Sequence, residues 1–391
     1  MSGAANSKPM RAGAFLGLAL LALSGCKRHD FPEYPANYRE FAYVTNGASG
    51  TVSVLDVVHV HLDREIQVGQ HPLAVVANPK RNEVYVLNEG NGQGYGSVSV
   101  LDAEKNAVVA TIAVRRQPMS LDVDAEGSFA YVANSGSNSV SVIDLQARRE
   151  FAVIGTGERP GMARISPDGK SLVVSNRAGQ SVSIVDVPSL RIRKVIEGCA
   201  GASDVAILPD SSKAFVACSG GHQLLAIALA RAGDSTLPAR PDALETVLEV
   251  GQTPVHLALK PDGGELFVSN SESDSVSEVI TWTDDVGGAY LIGSHPVRGL
   301  VSKDNSLLYE CNLQSQEISI YSIEDGKRAW SIHVGDGPDA LAFSASGHLL
   351  FAADERSGDV AVIRTSTHSL FTLLPAGREP NAIAVKALRL P

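Results

Sequence analysis

The chain of 391 residues has no basic cluster: 33 Lys and Arg are outnumbered by 43 Asp and Glu, giving a formal net charge of −10 with both signs interspersed. Nucleic-acid binding needs a concentrated cationic face, so no nucleic-acid partner is expected. Past Leu23 there is no apolar run long enough to cross a membrane as a helix. Cysteine is scarce, and Cys26, Cys199, Cys218 and Cys311 lack the close paired spacing of a zinc or redox site. Also missing are a Gly-x-Ser-x-Gly elbow, a His-Glu-x-x-His pair and a Cys-x-x-Cys-His haem motif. No cofactor is therefore called for, and no catalytic residue is assigned.

What the chain does have is a phrase that recurs every 42 residues. Tyr43-Val44-Thr45-Asn46 returns as Tyr85-Val86-Leu87-Asn88, Tyr131-Val132-Ala133-Asn134, Val173-Val174-Ser175-Asn176, Phe215-Val216-Ala217-Cys218 and Phe267-Val268-Ser269-Asn270. Two worn copies follow, Tyr309-Glu310-Cys311-Asn312 and Phe351-Ala352-Ala353-Asp354. The steps are 42, 46, 42, 42, 52, 42 and 42 residues, so the period survives two insertions. Short alternating apolar runs at this period are the mark of propeller blades.

Residues 160–198 show one unit. Ala163 and Ile165 alternate with Met162 and Arg164 in a strand, and Ser166-Pro167-Asp168-Gly169 is a turn. Leu172–Asn176, Ser181–Asp186 and Arg191–Ile196 supply three more strands, with Asn176 placed to bond neighbouring backbone amides and stop the ladder. Opening strands begin at Pro72, Pro118, Pro160, Pro254, Pro296, Pro338 and Pro380, with Ala202 standing in once. The first Tyr-Val-Thr-Asn strand lacks an opening strand before it, and the last opening strand has nothing after it. Each supplies what the other lacks. The reading is an all-β propeller of eight four-stranded antiparallel blades, closed by the C-terminal strand joining the first blade; the alternative is seven blades, should one worn repeat fail to form.

These phrases, with the Ser-Pro-Asp-Gly turn and the strand Val140–Asp144, resemble the YVTN family of β-propeller proteins from Tyr43 to about Val385. The resemblance implies the fold and an extracytoplasmic binding or scaffold role, and is nearly silent on activity. Ahead of it, Lys8 and Arg11 precede an apolar run of 12 residues, Ala12 to Leu23. That run has the length of a signal-peptide core and ends in Leu23-Ser24-Gly25-Cys26, which resembles the lipobox of bacterial lipoproteins. The resemblance implies that Cys26 carries the lipid anchor, and Lys27 after it favours the outer membrane. The expected organisation is a signal peptide over 1–25, a lipidated N-terminus and tether over 26–40, and the propeller over 41–391. Export permits disulfides, and Cys199 and Cys218 flank one expected hairpin and could approach each other. Cys311 would stay free. Buried small residues is the reading of all three.

Opening strands surround the channel of a propeller. Aligned on proline, the position three residues on is nearly always apolar, while the positions two and four residues on are mostly small. Asp122, Arg164, Asp204, His256 and Arg298 break that second pattern in five consecutive blades, so they form an arc on one side of the channel. His71, Arg159 and His295, each just before a strand proline, ring its mouth. Charges near the axis must pair with each other or meet a ligand. The arc is either a solvated salt-bridge arc or a site for a small anionic ligand held by its arginines.

Other signals point to loops and surface. Asn88–Gly96 is glycine-rich but joins two strands, and residues 230–243 are an insertion in the fifth blade. His59 and His61 share a face without a third metal ligand in sequence. Two functions compete. One is a membrane-anchored binding or scaffold propeller with a protein partner or small anion at its channel. The other is a channel-site enzyme or cofactor carrier, resembling lactonases or haem-bearing nitrite-reductase propellers, with Asp122, Asp204 and His256 as its converging groups.

Overall fold

The structure, a computed structural model, describes residues 33–92, 94–230 and 242–388. Cys26, the expected signal peptide and most of the fifth-blade insertion lie outside the described residues. From Tyr34 the chain forms one compact unit. Among the described residues, thirty-two strands make eight four-stranded antiparallel sheets. Both worn repeats build complete blades, at Leu307–Asn312 and Leu349–Asp354, so there are eight blades rather than seven.

The fourth blade shows how sequence dictates the unit. Its strands run Pro160–Ile165, Ser171–Asn176, Ser181–Asp186 and Arg191–Glu197, within a residue of the expected bounds. Gly169 closes the first turn at φ +70°, donating its N–H to the Ser166 carbonyl at 2.8 Å. Burial falls outward: the second strand is buried throughout, while the fourth is mostly exposed and carries Arg191, Arg193, Lys194 and Glu197 along its free edge. Charged edges of this kind block strand-to-strand association.

Closure follows the expected scheme. Pro380–Ala387 pairs antiparallel with Glu40–Asn46, Tyr43 opposite Ala384, and completes the first blade on its channel side. The apolar core has no single centre. It lies between neighbouring blades, as where Tyr85, Val98 and Ile112 of the second blade pack on Leu121, Val132 and Ile143 of the third.

The Asn of the repeated phrase bonds backbone amides as expected in two blades, Asn88 Oδ1 accepting from Gly69 at 3.0 Å and Asn134 Oδ1 from Arg115 at 3.2 Å, but its commoner job is another. In six blades its Nδ2 donates sideways to a serine hydroxyl of the next strand, seven residues on in five of them and eleven on at Asn88, as from Asn176 to Ser183 at 2.9 Å and Asn312 to Ser319 at 2.9 Å. A glycine three residues before the strand proline lies flat on this buried amide. A Cβ at Gly157 would come within 2.7 Å of the Asn176 side chain, and Gly69, Gly251, Gly293 and Gly377 are as tightly placed against theirs. The fifth blade replaces this latch with a covalent one. Cys199 occupies the glycine position and Cys218 the asparagine position, and they form a disulfide with Cα atoms 5.0 Å apart. The two cysteines are thus more than buried small residues, while Cys311 is buried and free.

Candidate site in the propeller channel

In ring order the channel is lined by Pro380–Ala387, Pro72–Ala77, Pro118–Val123, Pro160–Ile165, Ala202–Ile207, Pro254–Leu259, Pro296–Val301 and Pro338–Phe343. Each of these strands has one edge without a strand partner, and its inward N–H groups need acceptors. Polar residues of the arc supply them from the preceding blade. Asp204 Oδ2 accepts the Leu257 N–H at 3.0 Å, and His256 Nδ1 accepts the Gly299 N–H at 3.2 Å. Asp122 Oδ2 accepts from Ile165 at 3.0 Å, and Ser120 Oγ from Ala163 at 3.1 Å. The arc therefore staples adjacent blades at the hub.

The same groups form a chain of charges. Arg164 lies between two carboxylates, 3.7 Å from Asp122 Oδ1 and 3.8 Å from Asp204 Oδ1, and its Nε donates to the Val205 carbonyl at 3.3 Å. His256 Nε2 stands 3.8 Å from Asp204 Oδ2. Burial lowers the His256 pKa to about 4, with Arg298 and Arg164 adding to the fall against the pull of Asp204, so the ring is neutral. Nδ1 accepts a bond, which puts the proton on Nε2, toward Asp204. Burial raises the Asp122 carboxyl against the pull of Arg164. Burial likewise works against the Arg164 charge, and Asp122 and Asp204 outweigh it, holding the guanidinium above its ordinary pKa.

Arg298 stands apart from this chain. Its Nε donates to the Asp339 carbonyl at 2.7 Å, and it has no carboxylate within 4.0 Å among the described residues. It lines a cavity of about 230 Å³ together with Arg164, whose side chain is 37% exposed. The other walls are uncharged, mostly small or apolar residues such as Ala74, Met119, Met162 and Ala382 with the polar Ser120 and Asn381, and the two arginines are the cavity's charged groups.

At the mouth, all eight residues that precede the innermost strands have positive φ, among them His71 at 49°, Arg159 at 51° and His295 at 58°. Their carbonyls accept the N–H of the residue after the repeated Asn or its replacement, as from Arg177 to Arg159 at 3.1 Å. The left-handed turn is thus an architectural feature of every blade. His71 and His295 sit on the second and seventh blades. Arg159, on the fourth, lines a pocket of about 440 Å³ with Arg177. Elsewhere, His59 Nδ1 lies 2.9 Å from Asp56 Oδ2, and among the described residues no third side chain completes a metal-ligating group there.

Arg177 and Glu310 were missed by the sequence reading. Glu310 is wholly buried at a position held by valine in six blades, and both its carboxyl oxygens lack hydrogen-bond partners. Burial raises its pKa to about 8 against the charge of Arg298. Gly299, paired across from it, makes the room: a Cβ there would lie 2.6 Å from Glu310 Oε2. Glycine in an otherwise apolar column and glutamate in a valine column were the paired signal.

Comparison with known proteins agrees with the propeller fold. The family described as a YNCE-like β-propeller matches residues 99–387. Over 92 residues the chain is 36% identical to the "Uncharacterized protein YncE" of Salmonella typhi, and an equal match is made to that of Salmonella typhimurium. These matches cover 24% of this chain and only 25% of each relative. Among solved structures, apo AztD from Citrobacter koseri has a TM-score of 0.68 at 11% identity, over 90% of this chain and all of that one. The dihydro-heme d1 dehydrogenase NirN has a TM-score of 0.63 at 17% identity, over 77% of this chain and 64% of that one. At such identities both show the fold alone. The chain belongs to the YNCE-like β-propeller family.

Proposed function

We propose that this protein is a lipid-anchored, extracytoplasmic binding propeller whose channel takes a small anionic ligand between Arg164 and Arg298. The observation that carries this reading is the channel cavity, where two guanidinium groups are the charged side chains among otherwise uncharged walls. Arg298 has no carboxylate partner among the described residues, and an unpaired cation near the axis is costly until an anion meets it. The catalytic alternative is less well supported, because Asp122, Asp204 and His256 already accept backbone N–H groups at the hub. A cavity of about 230 Å³ also falls below the roughly 300–1,000 Å³ of sites for drug-sized ligands and cofactors, which disfavours a haem carrier of the NirN kind. The disulfide supports an oxidising compartment, and the Leu23–Cys26 sequence supports an anchor at its membrane.

Two measurements test the two halves. A panel of small carboxylates and phosphate should raise the melting temperature of the wild-type protein, and Arg298→Ala should abolish the rise while leaving unliganded stability equal or higher. Lower stability of Arg298→Ala, with no anion effect in the wild type, would leave only the hub-stapling role. For the anchor, Cys26→Ser should move the protein from the membrane fraction to the soluble one and end labelling by palmitate. Unchanged partitioning and labelling would refute it.

A further inference from the structure

We propose that the ligand of this channel is an elongated molecule with an anionic group at each end, the outer one held by Arg159 and Arg177 at the mouth. This rests on the channel reading above and adds a second subsite to it. Arg159 and Arg177 lie 18 residues apart in sequence, yet the Arg177 N–H bonds the Arg159 carbonyl at 3.1 Å, so the two stand side by side. Both side chains are exposed, line one pocket of about 440 Å³, and make no ion pair with a described residue. Arg159 and Arg177 are the charged residues of that pocket's lining, which holds no carboxylate. Clefts lined by one sign of charge concentrate and hold the opposite sign.

The mouth pocket adjoins the channel cavity. Met119 lines both, and is itself 38% exposed. Arg159 also stands directly before the strand that carries Arg164, five positions further along it. At about 3.3 Å per residue the two backbone positions are roughly 17 Å apart. An anion at Arg164 and Arg298 and a second at Arg159 and Arg177 therefore need a spacer, and Met119 and Met162 offer that spacer an apolar wall. The chemistry recognised is that of an α,ω-dianion with an aliphatic middle.

Calorimetric titration of the purified full chain decides the matter. The probes are succinate, adipate, suberate and sebacate, each against the monocarboxylate of the same length. We expect an affinity for one of the longer dicarboxylates about tenfold above its monocarboxylate. The double variant Arg159→Ala/Arg177→Ala should remove that advantage while leaving the monocarboxylate affinity unchanged. Its exposed positions leave the fold intact, which circular dichroism checks. A double variant that binds the dicarboxylate within about twofold of wild type overturns the mouth subsite. If binding then still depends on Arg164 and Arg298, the channel reading stands without it. If no probe binds the wild type, both fall.

Discussion

Glu310 brings an acid into an alkyl environment. Its counterparts are Val44, Val86, Val132, Val174, Val216, Val268 and Ala352, and it is as fully buried as they are. A buried group without a hydrogen-bond partner costs about 1–3 kcal/mol. Deprotonation adds to that cost, so the folded state keeps the proton to about pH 8, whereas the unfolded chain releases it near the ordinary glutamate value of 4.5. Between those limits the folded protein binds more protons than the unfolded one, so its stability falls as pH rises. The penalty is absent below about pH 4.5 and complete above about pH 8. Glu310→Gln cannot ionise, so its stability relative to wild type should climb across this window, by on the order of 1 kcal/mol per pH unit. Urea melts at several pH values check this, and a difference independent of pH would show that Glu310 is ionised when folded. His256 works the other way. Its pKa of about 4 removes stability as pH falls below the ordinary histidine value of 6.5, and Glu310→Gln leaves that acid limb in place.

At the scale of the element, each blade is locked where its second strand meets the connection into its first. Most blades use an asparagine amide under a glycine, and the fifth uses the Cys199–Cys218 bridge across 19 residues. Closing a loop of that size contributes about 3 kcal/mol through the unfolded chain. Reductant should therefore lower the melting temperature of the wild type to that of a Cys199→Ser/Cys218→Ser variant, and should not affect the variant. A wild type that melts unchanged in reductant would show that the fifth blade does not depend on its bridge. The eighth blade holds the weakest latch, with Asp354 in place of asparagine and Ala361 in place of the serine. Burial and the neighbouring Asp359 raise the Asp354 pKa to about 8, so it too favours acid conditions.

The elements were far more legible than their latches. Strand bounds, turn chemistry and blade number follow from alternation and period, which are properties of a single repeat. The roles of Asn176 and the arc are not, because each depends on a neighbour in the next strand or the next blade. Asp204 read as a charge near an axis, and only the ring shows that its carboxylate meets the Leu257 N–H. Arg159 was legible as a mouth residue, but only the mouth turn shows that Arg177 stands beside it. The substitution at Glu310 was visible as wear in a repeat, but its meaning needed Gly299 across the strand pair.

At the scale of the whole molecule, stability is shared between blade packing and one seam. Deleting residues 379–391 removes the strand paired with Glu40–Asn46 and bares the buried edge of the first blade. We expect aggregation or a large fall in melting temperature, and a truncated protein that melts like the full chain would show that the seam carries no weight. That seam also sets a clock. Thr45 Oγ1 donates to Asn381 Oδ1 across 336 residues of chain. A chain that emerges N-terminus first presents the first strand long before its partner. Throughout that interval the hydrophobic strand Glu40–Asn46 has its outer neighbours but no cover on the channel side, whereas the outermost strand, with Asp63, Arg64 and Glu65, is guarded from the start. Birth order thus makes the first blade the last to be finished.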